Sequence, residues 1–170
     1  MRRPLRSSVF GASSIGGLFA AMSLSASLLV VGCDDPKSLE WQVKHLTDPN
    51  PIDRSRAIEG AAQAWRNADQ GGKPEVKKEF QDKAIDALAK AYTDDSLKES
   101  SKDRKKIMDI LSQADDKRAK PAFVHAIKNY KPGDNDDETK SATRAVIKNK
   151  DLFQGDAELG AAFVTALKNV

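Results

Sequence analysis

The apolar positions along this chain change character once. From Val9 to Val31 they form a run with no charged residue, thinned by Gly11, Gly16, Gly17 and several serines. Behind Cys33 they recur at the spacing that places them on one face of a helix of 3.6 residues per turn, embedded among dense charges. Ile58, Ala61, Ala62 and Trp65 form one such stripe, Val76, Phe80, Ala84, Ala87, Leu88 and Ala91 a second, and Ile107, Ile110, Leu111 and Ala114 a third. No run of alternating β-branched residues competes with them, so the expectation is an all-α protein. The stripes predict helices over 38–46, 51–68, 74–92, 102–114, 117–130, 137–149 and 156–170.

Turn chemistry separates the stripes. Asn50-Pro51-Ile52-Asp53 offers a capping amide, a proline in the first turn and an acid where helix N–H groups lack partners. Ser100 to Asp103 reads as a capping box with aspartate in place of glutamate. Lys131-Pro132-Gly133 ends one helix, and Asp136, Asp137 and Glu138 open the next at its positive end.

The chain also repeats itself. Ala122 to Tyr130 and Ala162 to Val170 share six of nine residues at an offset of 40, and Ala84 to Tyr92 fits the first of these at an offset of 38. Leu39 to Leu46 is a weaker, earlier copy. The predicted helices then fall into three pairs and a final helix: 38–46 with 51–68, 74–92 with 102–114, 117–130 with 137–149, and 156–170. The spacing, the turn residues Asp48-Pro49 and Asp94-Asp95, and the basic residues Arg54, Arg56 and Arg104 near the starts of second helices resemble HEAT-like repeats from Ser38 to Val170. The turn from Gly133 to Asp137 departs from that pattern. The resemblance implies a short right-handed α-solenoid, in which stacked helix pairs bury faces that no single pair could cover; an irregular helical bundle would bury the same residues. The last helix carries the stripe Leu159, Ala162, Phe163, Ala166, Leu167 and Val170 without a partner of its own. It is expected to pack back on the third pair, the alternatives being a continued array or another protein.

Charge changes the picture of the first 32 residues. Of 28 basic residues, Arg2, Arg3 and Arg6 lie there, which leaves 25 facing 25 acidic ones from Cys33 onward. The helical part is thus close to neutral, its charges interleaved as on solvated helix faces, and no nucleic-acid partner is expected. A positive start followed by the uncharged run has the layout of a secretory signal peptide; the alternative is an uncleaved anchor of sufficient length to span a bilayer. The one cysteine excludes an internal disulfide.

At its end, Val30-Val31-Gly32-Cys33 resembles the lipobox of bacterial lipoprotein precursors. The resemblance implies cleavage after Gly32 of the leader 1–32, diacylglycerol on the Cys33 thiol, a short tether over 33–37 and an envelope location on the periplasmic or external face. Several acyl chains, each methylene contributing about 0.8 kcal/mol when buried, would hold such a chain at a membrane. Asp34 resembles the inner-membrane retention signal of enteric lipoproteins, whereas other bacteria sort by different rules.

Candidate chemistry is sparse. His45 and His125 lie on different helices with no thiol to join them, short of a zinc set. Gly133-Asp134-Asn135-Asp136-Asp137-Glu138 is rich in oxygen but lacks the sixth-position glycine and distal bidentate glutamate of an EF-hand, and reads as a solvated capping turn. No GxSxG, P-loop or HExxH motif occurs. The expectation is a non-enzymatic scaffold without cofactor, metal or small-molecule substrate, which holds a protein partner in the envelope, as HEAT-like relatives do. An accessory subunit of a larger envelope complex and an envelope enzyme are the other readings. Trp41, Leu159, Phe163 and Leu167 are the candidate partner contacts; Trp65, in register with its stripe, is read as core.

Overall fold

Local signals of this kind translate into helices almost everywhere. The computed structural model describes residues 35–169, and among them every regular element is helical and none is a strand. The helices are α1 (Leu39–Lys44), α2 (Pro51–Gln70), α3 (Pro74–Tyr92), α4 (Ser101–Gln113), α5 (Lys120–Lys128), α6 (Asp136–Lys148), α7 (Lys150–Phe153) and α8 (Ala157–Leu167), with 3-10 turns at Asp95–Leu97 and Lys117–Ala119. Val30, Val31, Gly32, Cys33 and Asp34, and with them the expected cleavage and lipidation, lie outside the described residues.

Side-chain caps mark the starts of α1, α2 and α8. Ser38 accepts the Trp41 N–H at 3.1 Å at the start of α1. Asn50 accepts the Ile52 N–H at 3.0 Å while its amide donates to Asp53 at 2.7 Å, ahead of Pro51 in the first turn of α2. The capping box expected at Ser100 does not form. Ser100 has ψ 66°, away from the extended geometry that aims a capping hydroxyl at the helix amides, and its side chain makes no cap bond. Asp103 instead accepts the hydroxyl of Ser55 on α2 at 3.3 Å, so a residue expected to act locally joins two helices.

Within the predicted pairs, α1 packs on α2, α3 on α4 and α5 on α6. Contacts also run from α1 to α3, α3 to α5 and α5 to α8, and from α2 to α4 and α4 to α6. One continuous apolar cluster extends from Leu46 through Trp65, Phe80, Leu88 and Met108 to Phe123, Phe153 and Ala162. The three predicted stripes enter it except at two positions: Ala87 is partly buried at its edge, and Val76, in the first turn of α3, is 41% exposed. Helix α3 also buries Ile85, Ala89 and Tyr92 outside its stripe, because it meets α1, α2, α4 and α5 and has little free face left. Gly60 permits the close approach of α1 to α2, since a Cβ there would lie 2.6 Å from the buried amide of Gln42.

The last helix packs against α5 of the third pair as expected, except that Leu167 of its stripe is 76% exposed. Leu159 and Ala162 of α8 are buried on α5, and Phe163 and Ala166 pack at the edge of the core. Asp156 caps it by accepting the N–H groups of Glu158 and Leu159 at 3.0 and 3.1 Å, and Lys120 of α5 reaches Asp156 at 2.9 Å.

Candidate functional site

Four helices deliver polar side chains to one place. Tyr92 ends α3, Arg104 is the fourth residue of α4, His125 lies on α5 and Glu138 is the third residue of α6. Glu138 is 4% exposed; it accepts the Tyr92 hydroxyl in a short bond and the Arg104 Nε–H at 3.2 Å. Another nitrogen of Arg104 donates to the carbonyls of Leu97, at 3.1 Å, and Lys98. The Tyr92 and His125 rings meet edge to face at 5.8 Å. A buried carboxylate is costly unless paired and hydrogen-bonded, and here both conditions hold.

This cluster forms the floor of a cleft of about 290 Å³, walled by Asp94, Asp95, Lys98, Asn129, Lys131 and Asp134. Burial pushes the Tyr92 hydroxyl above its ordinary range, and its bond to the Glu138 carboxylate pushes it further. Tyr92 is therefore a donor and not a base at neutral pH. Burial lowers the His125 imidazole, the Arg104 guanidinium adds to the lowering, and Glu138 opposes it. The result is a neutral imidazole beside a clamped ion pair, under a rim carrying charges of both signs.

The His125 shift has a consequence for stability. In the unfolded chain the imidazole titrates near its ordinary value of about 6.5, and in the fold it does so lower. As pH falls, the unfolded chain takes up the proton first, so the contribution is complete above the unfolded value and is lost as pH drops through the folded one. His125→Thr, which installs the residue found at the repeat-equivalent position 165, is expected to lose less stability than the parent between about pH 7.5 and about pH 5.5. Urea titrations at the two pH values measure this; equal losses would contradict it.

The sequence-predicted contacts scatter. Trp41 is 8% exposed and stacks on His45 at 4.2 Å, and Leu159 is 3% exposed against α5. Both are buried and not available contacts, because each lies on the side of its helix that faces the neighbouring helices. Phe163 is half-buried, and Leu167 is 76% exposed. Trp65 is core as read, tilted against Phe80 at 5.3 Å.

The oxygen-rich turn spends its ligands on itself: Asp136 accepts the Gly133 N–H at 3.1 Å, Asn135 accepts the Lys131 N–H at 2.9 Å, and Asp137 pairs with Lys105. Among the described residues no group of three or more histidine, cysteine or acidic side chains is arranged to hold a metal ion. Nor, among them, is any helix long and apolar enough to cross a membrane.

Sequence reading missed the pairing of Tyr92 and Arg104 with Glu138. A signal existed in helix register. Arg54, Arg104 and Thr139 are each the fourth residue of α2, α4 or α6, and each donates to a carbonyl N-terminal to its helix: Asp48 at 2.8 Å, Leu97 at 3.1 Å and Ala126 at 3.1 Å. The third residues, Asp53, Asp103 and Glu138, are all acids. No family model, curated protein or solved structure matches the chain.

Proposed function

We propose that this chain is a lipid-anchored protein of the bacterial cell envelope, and that its mature part is a non-enzymatic binding scaffold built as a short, right-handed, HEAT-like α-solenoid. The observation that carries the location is Val30-Val31-Gly32-Cys33, placed after a basic start and an uncharged run. The solenoid reading is supported by the order of helix contacts. First helices touch first helices (α1, α3, α5, α8), second helices touch second helices (α2, α4, α6), and each hairpin touches its neighbour. The scaffold reading draws support from the cleft over Glu138, whose rim of Asp94, Asp95, Lys98, Asn129 and Lys131 offers donors and acceptors of both signs to a polypeptide partner. An accessory-subunit role is the second reading, favoured by the exposure of Val164 and Leu167 on α8.

Mass spectrometry and fractionation of the full-length chain and of Cys33→Ser, expressed in a bacterial host, test the anchor. The parent is expected in membranes, beginning at Cys33 with added acyl mass; Cys33→Ser is expected to lose that mass and leave the membrane fraction. A parent that carries no lipid overturns the anchor. For the scaffold, a stoichiometric envelope protein recovered with the acylated chain is the expected result, and recovery of the chain alone overturns it.

A further inference from the structure

Charge is balanced over the helical part of the chain but not between its two sets of turns. The turns inside the three helix pairs, at 46–55, 92–104 and 129–138, hold ten acidic residues and five basic ones, whereas the segments between pairs, at 69–77, 113–120 and 148–157, hold six and seven. The inside turns are neighbours in space. The Asp94 carboxyl is held below its ordinary range chiefly by its bonds to Ser96 and further by the Arg54 guanidinium from the start of α2, and Asp94 shares the cleft with Lys131 and Asp134 of the next turn. Two of the five basic residues are withdrawn from this acidic side: Arg54 is 8% exposed and donates to the Asp48 carbonyl, and Arg104 is spent on Glu138 and on the carbonyls of Leu97 and Lys98.

Within the cleft this imbalance meets a built acceptor. The bonds from Tyr92 and Arg104 both end on Oε2 of Glu138; among the described residues no hydrogen bond reaches its Oε1, although the residue is only 4% exposed. A buried carboxylate oxygen without a donor is costly, and because Glu138 lines the cleft the missing donor can come from there. The neutral His125 imidazole adds no positive charge beside it. Lys98 and Lys131 also line the cleft, but both are exposed, and their long stems let the ammonium groups stay in water while Asp95 and Asp134 sit on short stems at the rim.

We infer that the cleft takes a cationic side chain, an arginine or lysine on a basic segment of the polypeptide partner, with Glu138 Oε1 as the acceptor at its floor and Asp95 and Asp134 as counter-charges at its rim. This rests on the scaffold reading above and gives the partner its chemistry. Rim ion pairs contribute up to about 1 kcal/mol each, so a short basic segment by itself binds with a dissociation constant in the millimolar range.

Nuclear magnetic resonance titration of the full-length chain in non-ionic detergent tests this, with the acetylated and amidated peptide Gly-Arg-Gly-Arg-Gly as the probe and its glutamate counterpart as the control. The arginine peptide is expected to move the His125 ring and Asn129 amide signals saturably, and the glutamate peptide to leave them in place. Asp95→Asn with Asp134→Asn is expected to raise the dissociation constant at least about threefold. Both positions are exposed, so the double variant should keep the parent's melting temperature, which separates lost binding from lost fold. Lys98→Gln with Lys131→Gln should bind the arginine peptide as tightly as the parent or more so. A glutamate peptide that binds as well as the arginine one, or arginine binding indifferent to the two asparagine changes, overturns the inference. The arginine peptide seated in the cleft of a chain that recovers no envelope protein would sink the scaffold reading alone, whereas a recovered partner without arginine binding would sink this inference alone.

Discussion

Phe123→Ala is expected to destabilise the fold by about 3–5 kcal/mol, the range for truncating a buried aromatic to alanine. Phe123 is 1% exposed on α5, and its ring meets Phe153 of α7 edge to face at 5.9 Å. Removing it leaves a cavity where α5 meets the segment that follows α6, and that segment is held by Phe153 as its one buried residue. Against a total stability of roughly 5–15 kcal/mol, such a loss brings the domain close to unfolding at physiological temperature. The repeat supplies an internal control. Phe163 stands in the same sequence context on α8 but is half-buried at the edge of the core, so Phe163→Ala is expected to cost less than half as much. Urea midpoints at unchanged slope measure both. Equal losses would contradict the shallower burial of Phe163.

The second large effect belongs to Arg104. Replacing it with alanine strands the Glu138 carboxylate, 4% exposed, with the Tyr92 hydroxyl as its remaining partner, and strips a donor from the carbonyls of Leu97 and Lys98. Breaking a buried pair from one side costs about 3–5 kcal/mol, because the charge left behind is uncompensated. The side chain of Arg104 is itself 15% exposed, which places the expectation at the lower end of that range. Adding Glu138→Gln to Arg104→Ala is expected to recover part of the loss, since the amide oxygen can still accept from Tyr92 while the stranded charge is gone. Arg104→Lys should rescue little: one ammonium lacks the planar fork that bonds Glu138 and two carbonyls together. Additive losses in the Arg104 and Glu138 cycle would show that the two side chains are not coupled.

Much of this architecture was legible before any coordinates. The stripe of Ile107, Ile110, Leu111 and Ala114 is wholly buried, and so is that of Ile58, Ala61, Ala62 and Trp65. Asn50 caps α2 as its neighbours indicate, and the predicted pairs appear with boundaries shifted by a few residues. Failures have recognisable causes. Trp41 is large enough to anchor a partner, and in the fold it is buried and stacks on His45. Asp103 read as half of a capping box, and docking turns it toward Ser55 on another helix. α7 went unread because four residues carry too little periodicity to register; only Phe153 meeting Phe123 gives that segment a reason to coil. The cleft was not legible at all, since Tyr92, Arg104, His125 and Glu138 come from four helices and form no motif along the chain.

Sequence alone determined the helical class, the positions of the turns and most of the residues that α2 and α4 bury, because caps and stripes are settled among residues within a turn or two of one another. It also placed Cys33 behind its uncharged run, from which the proposed anchor follows. Only the tertiary structure decided which buried face meets which helix, that Glu138 is ion-paired and hydrogen-bonded by groups 34 and 46 residues away, and that Val164 and Leu167 stay exposed where their repeat twins are covered. The physical reason is that periodicity states which side of a helix avoids water, whereas the identity of the covering surface depends on how the helices dock, and two copies of one sequence can dock differently.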